Sequence, residues 1–273
     1  MKGRVLIIAG SDSGGGAGIQ ADLKAVTALG AFGMTAITAL TAQNTLGVHG
    51  VLPVPLDFLR QQIAVVMDDL GADAIKTGML ADSATIEAVC DEIAARAPGV
   101  PLVADPVMVA KGGHPLLVPE AAETLKRRLL PIASVLTPNL PEAEALCGFA
   151  IADVGAMHQG AKALLALGAK AVLLKGGHLP GDEVVDLFVQ PGQPSLRLAS
   201  PRIASGNVHG TGCTLSSAIA AHLALGHGLS EAVRLARGYI LHAIESGAPV
   251  QTGHGHGPLN HGFAPHASHL KPL

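Results

Sequence analysis

The stretch His209-Gly210-Thr211-Gly212-Cys213 puts a thiol where a glycine-rich turn runs into an apolar helical pattern, "TLSSAIAAHLALG". Helix starts are normally capped by Ser, Thr, Asp or Asn, so a cysteine there is an unusual choice. Small residues opening a helix leave N–H groups that converge on one point, and the helix dipole adds partial positive charge. Gly210, Thr211, Gly212 and Cys213 therefore form an anion hole suited to a phosphate or to a phosphoryl group in transfer. The same field is expected to lower the pKa of Cys213 and favour its thiolate, making it an acid/base group beside an anion site. A small buried cysteine packing a tight turn is the other reading, and the tetrapeptide alone favours it.

Other residues have chemistry to offer. Lys175 ends an apolar strand pattern, "AVLLKGGH", beside two glycines. Asn139 and Glu142 lie three apart around Pro141, so both can face the strand ends; the spacing equally fits an N-cap followed by a first-turn charge. The chain has no G-x-x-x-x-G-K-[ST], no G-x-G-x-x-G, no G-x-S-x-G and no H-E-x-x-H.

The elements that must hold these residues alternate. "RVLIIAG" is a continuous apolar run, as in a strand buried on both faces. The loop "GSDSGGGAG" follows, then the helical stripe of "IQADLKAVTALG" with Gly30 as C-cap. "MTAITALTAQNT" reads as a strand and a loop, "ADAIKTGML" as a strand, and "SATIEAVCDEIAAR" as a helix capped by Asp82 or Ser83. "PEAAETLKRRLLP" reads as a helix, "EVVDLFVQ" and "LRLASPRI" as a hairpin, and "SEAVRLARGYILHAIESG" as a helix capped by Ser230. Strands alternating with helices demand a mostly parallel sheet covered on both faces, with ligands at the carboxyl ends of the strands. No linker, composition shift or repeat divides the 273 residues, so a single domain is expected, with an irregular tail from about residue 251.

Composition narrows the function classes. Apolar residues make up 49% and charged residues 14%, which excludes disorder. A formal charge of −3 argues against nucleic acid as a partner. Cys90, Cys147 and Cys213 are an odd number at wide spacing, which suits a reducing cytoplasm. The N-terminal "MKGRVLIIAGSDSGG" does not read as a signal peptide. Residues 25–56 and 203–230 are uncharged, but glycines, Asn and His interrupt them, so no membrane span is expected.

"AGSDSGGGAGIQADLK", "ITALTAQNT", "KTGML", "DPVMVAKGGHPLL", "LTPNLPEAEAL", "LLKGGH" and "HGTGCTLSSAIAA" occur in this order. Together they resemble the hydroxymethylpyrimidine/phosphomethylpyrimidine kinases of thiamin biosynthesis, members of the ribokinase-like superfamily. The resemblance runs from Val5 to the "GHGHGPLNH" of the tail. It implies a three-layer α/β/α sandwich, ATP and Mg²⁺ as cofactors, an aminopyrimidine as substrate and a homodimer. "GTGC", in place of the superfamily's commoner G-x-G-D, is shared with some bacterial pyridoxal kinases. The family more often has "NTHGTGC" where Val208 stands here, and Ser and Asp where Gly113 and His114 stand in the loop "AKGGHPLL", expected to close over substrate.

Residue by residue, the resemblance implies that Gln43 binds the pyrimidine through its carboxamide, with Asp22, Met79 and Val107 lining the pocket. Asp105, Asn139 and Glu142 would organise Mg²⁺ near the phosphates, largely through water, with Asn139 and Thr211 also at the nucleotide. Lys175 would reach the ATP phosphates, Gly210 to Cys213 would cradle the migrating phosphoryl group, and Cys213 would take the alcohol proton. Outside the resemblance, Gln43 reads as a loop amide, Asp22 as a solvent-facing helix residue and Met79 as core. Competing readings are a pyridoxal kinase and a non-catalytic nucleotide- or metal-binding protein. His254, His256, His261, His266 and His269 give the tail metal-binding composition, but no regular element fixes a ligand geometry there.

Overall fold

The computed structural model describes residues 3–109, 113–114, 116–118 and 120–267. Much of the expected closing loop "AKGGHPLL", and His269, lie outside these residues. Eight strands form one sheet: β1 (Arg4–Ala9), β2 (Phe32–Ile37), β5 (Ala74–Thr77), β6 (Leu102–Ala104), β7 (Val135–Leu136), β8 (Val172–Leu174), β9 (Glu183–Val189) and β10 (Leu196–Pro201). Their order is β10-β9-β8-β7-β6-β5-β1-β2. β2, β1, β5, β6, β7 and β8 pair in parallel, and β9 and β10 form the expected antiparallel hairpin at one edge.

Both faces of the sheet are buried, and β1 shows why its apolar run is unbroken. Val5 and Ile7 pack beneath α1 (Gly18–Ala28), α7 (Thr211–Ala224) and α8 (Leu229–Gly247), whereas Leu6 and Ile8 pack on the opposite layer. That layer is built from α2 (Leu56–Asp69), α3 (Ser83–Arg96), α5 (Leu140–Cys147) and α6 (Val154–Ala166). The arrangement is the three-layer α/β/α sandwich.

Local structure departs from expectation in three places. "MTAITALTAQNT" is not one strand: β2 ends at Ile37, and β3 (Ala39–Asn44) pairs with β4 (Gly47–Pro53) in a separate two-stranded flap. The helix expected through Pro131 is α4 (Ala121–Thr124), which widens into a π-helical turn over Leu125–Leu129 and ends as a 3₁₀ turn over Leu130–Ile132. Pro131 has no N–H to continue the ladder. Ser230 does not cap α8, because Leu229 is already helical and Gly228 holds the N-cap position.

The uncharged stretch 203–230 is explained by α7, which is buried nearly all round. No helix among the described residues is long and apolar enough to cross a membrane. One residue of α7 carries a cost: His222 is buried with neither ring nitrogen hydrogen-bonded. Burial first, and His227 nearby, push its pKa down to about 4, whereas the ordinary value is 6.5. Burial does the same to His261. Between these values the unfolded chain binds more protons than the folded one, so stability is lost as pH falls from about 6.5 towards 4. His222→Leu is expected to raise the unfolding free energy at pH 5 by about 1–3 kcal/mol more than at pH 7.5, read from urea melts at both values.

Candidate active site

The carboxyl ends of the parallel strands open onto a cavity of about 1210 Å³. That exceeds the 300–1,000 Å³ or so typical of one small ligand, so a nucleotide and an acceptor fit together. Gln43, Met79 and Val107 line it, as do Asp105, Asn139, Glu142, Lys175 and Gly210 through Cys213. Asp22 does not: it lies behind the wall, fully buried, one carboxylate oxygen 2.8 Å from Lys76 Nζ and the other 2.7 Å from Ser217 Oγ. It faces neither solvent nor the pocket, because its helix packs that side against α7.

The start of α7 has the expected form. Gly210 is left-handed, with φ at 80°, and a Cβ there would strike the carbonyl of Gly16. A Cβ on Gly212 would stand 3.0 Å from Lys175 Nζ, so the missing side chain lets an ammonium approach the first turn. The amides of Gly212 and Cys213 have no acceptor among the described residues. The Thr211 hydroxyl is engaged locally, donating to the Val208 carbonyl at 2.7 Å.

Lys175 follows β8 directly, its N–H bonded to the Pro138 carbonyl and its Nζ 3.1 Å from Asp105 Oδ1. Thr137 and Ser216 hydroxyls also reach Asp105. Asn139 and Glu142 form a complete capping box on α5: the Glu142 N–H donates to Asn139 Oδ1 at 2.9 Å, and the Asn139 N–H to Glu142 Oε2 at 2.8 Å. Burial pushes the Glu142 carboxyl up to about 7; Lys175 opposes this and the charge of Asp105 adds to it.

The first glycine loop is organised by Asp12, a residue without an assigned role in the sequence reading. Its carboxylate accepts from the amides of Gly14, Gly16 and Ala17 and lies 2.9 Å from His209 Nε2. Burial works against its charge, but His209 and these amides outweigh it and hold the carboxyl below its usual range. His209 Nε2 is also 3.2 Å from the Gln43 carboxamide, which ties the flap to the GTGC turn. The signal in the sequence was the Asx pattern Asp12-Ser-Gly in a glycine run.

Cys213 corrects an expectation. Burial pushes its thiol up to about 11, against the partial opposition of Lys76 and the Gly18 amide; Asp22 and Asp105 reinforce burial. The helix start alone does not yield a thiolate, because desolvation exceeds the dipole's effect. Lys76 was also missed, although a lysine inside "DAIKTG" carries the same signal that singled out Lys175.

The tail is irregular but fixed over the site. The His209 N–H donates to the Gly257 carbonyl at 3.1 Å, and His261 Nε2 lies 2.9 Å from the Thr214 hydroxyl. The His256 N–H donates to the Thr45 carbonyl in the flap turn. No group of three or more His, Cys, Asp or Glu side chains suited to a metal occurs among the described residues.

Fold and site together define a ribokinase-like α/β protein whose strand ends present an anion hole, a lysine and two carboxylates to one cavity. Residues 12–260 match the family described as phosphomethylpyrimidine kinase, and the chain belongs to that family. It is 49% identical to the hydroxymethylpyrimidine/phosphomethylpyrimidine kinase of Haemophilus influenzae, over 94% of this chain and 96% of the relative. It is 51% identical to a thiamine biosynthesis bifunctional protein of Geobacter sulfurreducens, over 95% of this chain but only 52% of that longer protein. Among solved structures, the Staphylococcus aureus pyridoxal kinase in complex with AMP-PCP and pyridoxal superposes with a TM-score of 0.87 at 35% identity, covering 96% of this chain and 94% of that one.

Proposed function

We propose that this chain transfers the γ-phosphoryl group of ATP to 4-amino-5-hydroxymethyl-2-methylpyrimidine, and then a second one to the resulting monophosphate. The observation that carries the reading is the convergence of Lys175, Asp105 and the open amides at the start of α7 on one cavity. The family relationship supplies the acceptor class.

The chain's own groups divide the work. Gln43 offers a carboxamide to the aminopyrimidine, with Met79 and Val107 as apolar walls. The Gly212 and Cys213 amides and Lys175 stabilise negative charge spreading over the transferred group. Cys213, as thiolate, takes the alcohol proton; the monophosphate acceptor is already ionised and needs no base. Asp105 and Glu142 fit Mg²⁺: two hard carboxylates face the cavity, and a bound cation would oppose the burial that pushes the Glu142 carboxyl up. When bound, Mg²⁺ neutralises phosphate charge.

The enzyme is read as a single-domain cytoplasmic homodimer. Exposed Leu40, Leu52, Phe58 and Val65 on the flap and α2 supply apolar surface for pairing, which sedimentation would test.

A coupled ADP-release assay tests the activity with hydroxymethylpyrimidine, its phosphate and pyridoxal side by side, with and without Mg²⁺. Turnover of both pyrimidines, abolished by EDTA, is expected. Turnover of pyridoxal alone would assign the chain to the chemistry named for its Staphylococcus relative.

A further inference from the structure

Lys76 is out of keeping with its surroundings. It sits on β5 in register with Ile7 and Val103, on the sheet face packed beneath α1 and α7, and is 0% exposed. Burying an ammonium costs several kcal/mol, and a buried ion pair is weak evidence of a stabilising role. Its side chain runs to the carboxyl edge of the sheet, where a Cβ on Gly78 would stand 2.9 Å from Nζ. Asp22 accepts one of its three N–H bonds, and the other two have no partner among the described residues.

What lies nearby is Cys213. Ser217, bonded to the other oxygen of Asp22, is one helical turn beyond Cys213 and so shares its face of α7. Lys76 and Cys213 both line the cavity. In the loop that leads to α1, Asp12 takes the amides of Gly14, Gly16 and Ala17, and the Gly10 carbonyl takes that of Ile19; the Gly18 amide between them favours the anion of Cys213.

We infer that Lys76, clamped by Asp22, acts with the Gly18 amide to stabilise the thiolate of Cys213, making Lys76 a positioning residue of the first phosphorylation. The inference rests on the reading of Cys213 as the base. In that step the substrate O–H bond breaks and an S–H bond forms. The oxygen's electron pair makes the new P–O bond as ADP leaves. Lys76 keeps its proton throughout, and the thiol returns its own to solvent. Of the charged groups around the sulfur, Lys76 and Lys175 favour the anion, whereas Asp22 and Asp105 oppose it.

The test compares Lys76→Met with Lys76→Met/Asp22→Asn, the second removing both buried charges so that folding is preserved. Alkylation of Cys213 by iodoacetamide is followed across pH by mass spectrometry, and both phosphorylations are assayed. The alkylation midpoint is expected to rise by at least about one pH unit in Lys76→Met, and less in the double variant because Asp22 no longer opposes the thiolate. The first phosphorylation falls about 10²-fold and the second stays within about threefold. An unmoved midpoint in both variants, or equal losses in both steps, overturns the inference. A shifted midpoint with an intact first step instead overturns Cys213 as base and leaves the Lys76–Cys213 coupling standing.

Discussion

Lys175→Met is expected to lower kcat about 10³-fold for the alcohol and for the monophosphate acceptor alike, the upper end of the loss when one preorganised charge donor is removed. The ammonium stands beside the first turn of α7, 3.0 Å from where a Gly212 Cβ would be, so it acts on the transferred group whichever acceptor is bound. The variant also leaves Asp105 buried without its cation, and breaking such a pair destabilises by about 3–5 kcal/mol. Lys175→Met/Asp105→Asn isolates the stability effect: its melting temperature should recover towards the parent's, and the kcat loss is read from Lys175→Met itself at temperatures where it stays folded. Steady-state kinetics with kcat within tenfold of the parent would remove Lys175 from the reaction.

Cys213→Ala should divide the two steps that Lys175→Met treats alike. Loss of a positioned base costs about 10²–10⁴ in rate, and only the alcohol carries a proton that must leave. The first phosphorylation is therefore expected to fall by that factor, with the second within about threefold. Equal losses would mean that Cys213 places substrate and moves no proton. The raised thiol gives the same assignment a pH signature. With the folded-state value near 11, the base form is scarce at neutral pH and grows as pH rises. The first-step rate should climb by up to about tenfold per pH unit between 7 and 9, and the slope should vanish in Cys213→Ala.

Much of this site was legible because its loops follow apolar strands and open helices. Lys175, Asn139 and Glu142 are found at such junctions, and the capping pattern around Pro141 is realised while both side chains still face the cavity. What escaped depends on partners distant in sequence. Nothing local marks Asp22 as the counterion of Lys76, 54 positions away, or His209 as the partner of Asp12, 197 away. The thiol of Cys213 was misjudged for a related reason. A helix start is visible in a tetrapeptide, whereas desolvation comes from helices packed around it. The flap was merged with β2 because only Thr38 separates β2 from β3, and period-2 patterning runs through the break.

The hold of residues 257–261 on the GTGC turn has a consequence for biosynthesis. A ribosome delivers residues 209–214 almost fifty positions before the segment that supplies Gly257 and His261 to them. The central sheet has both faces covered once α8 emerges, while the phosphate-handling turn still lacks its partners. A stalled nascent chain released short of Gly257 should thus be folded in its sheet yet poor at holding nucleotide, so that catalytic competence arrives late in translation, after the scaffold.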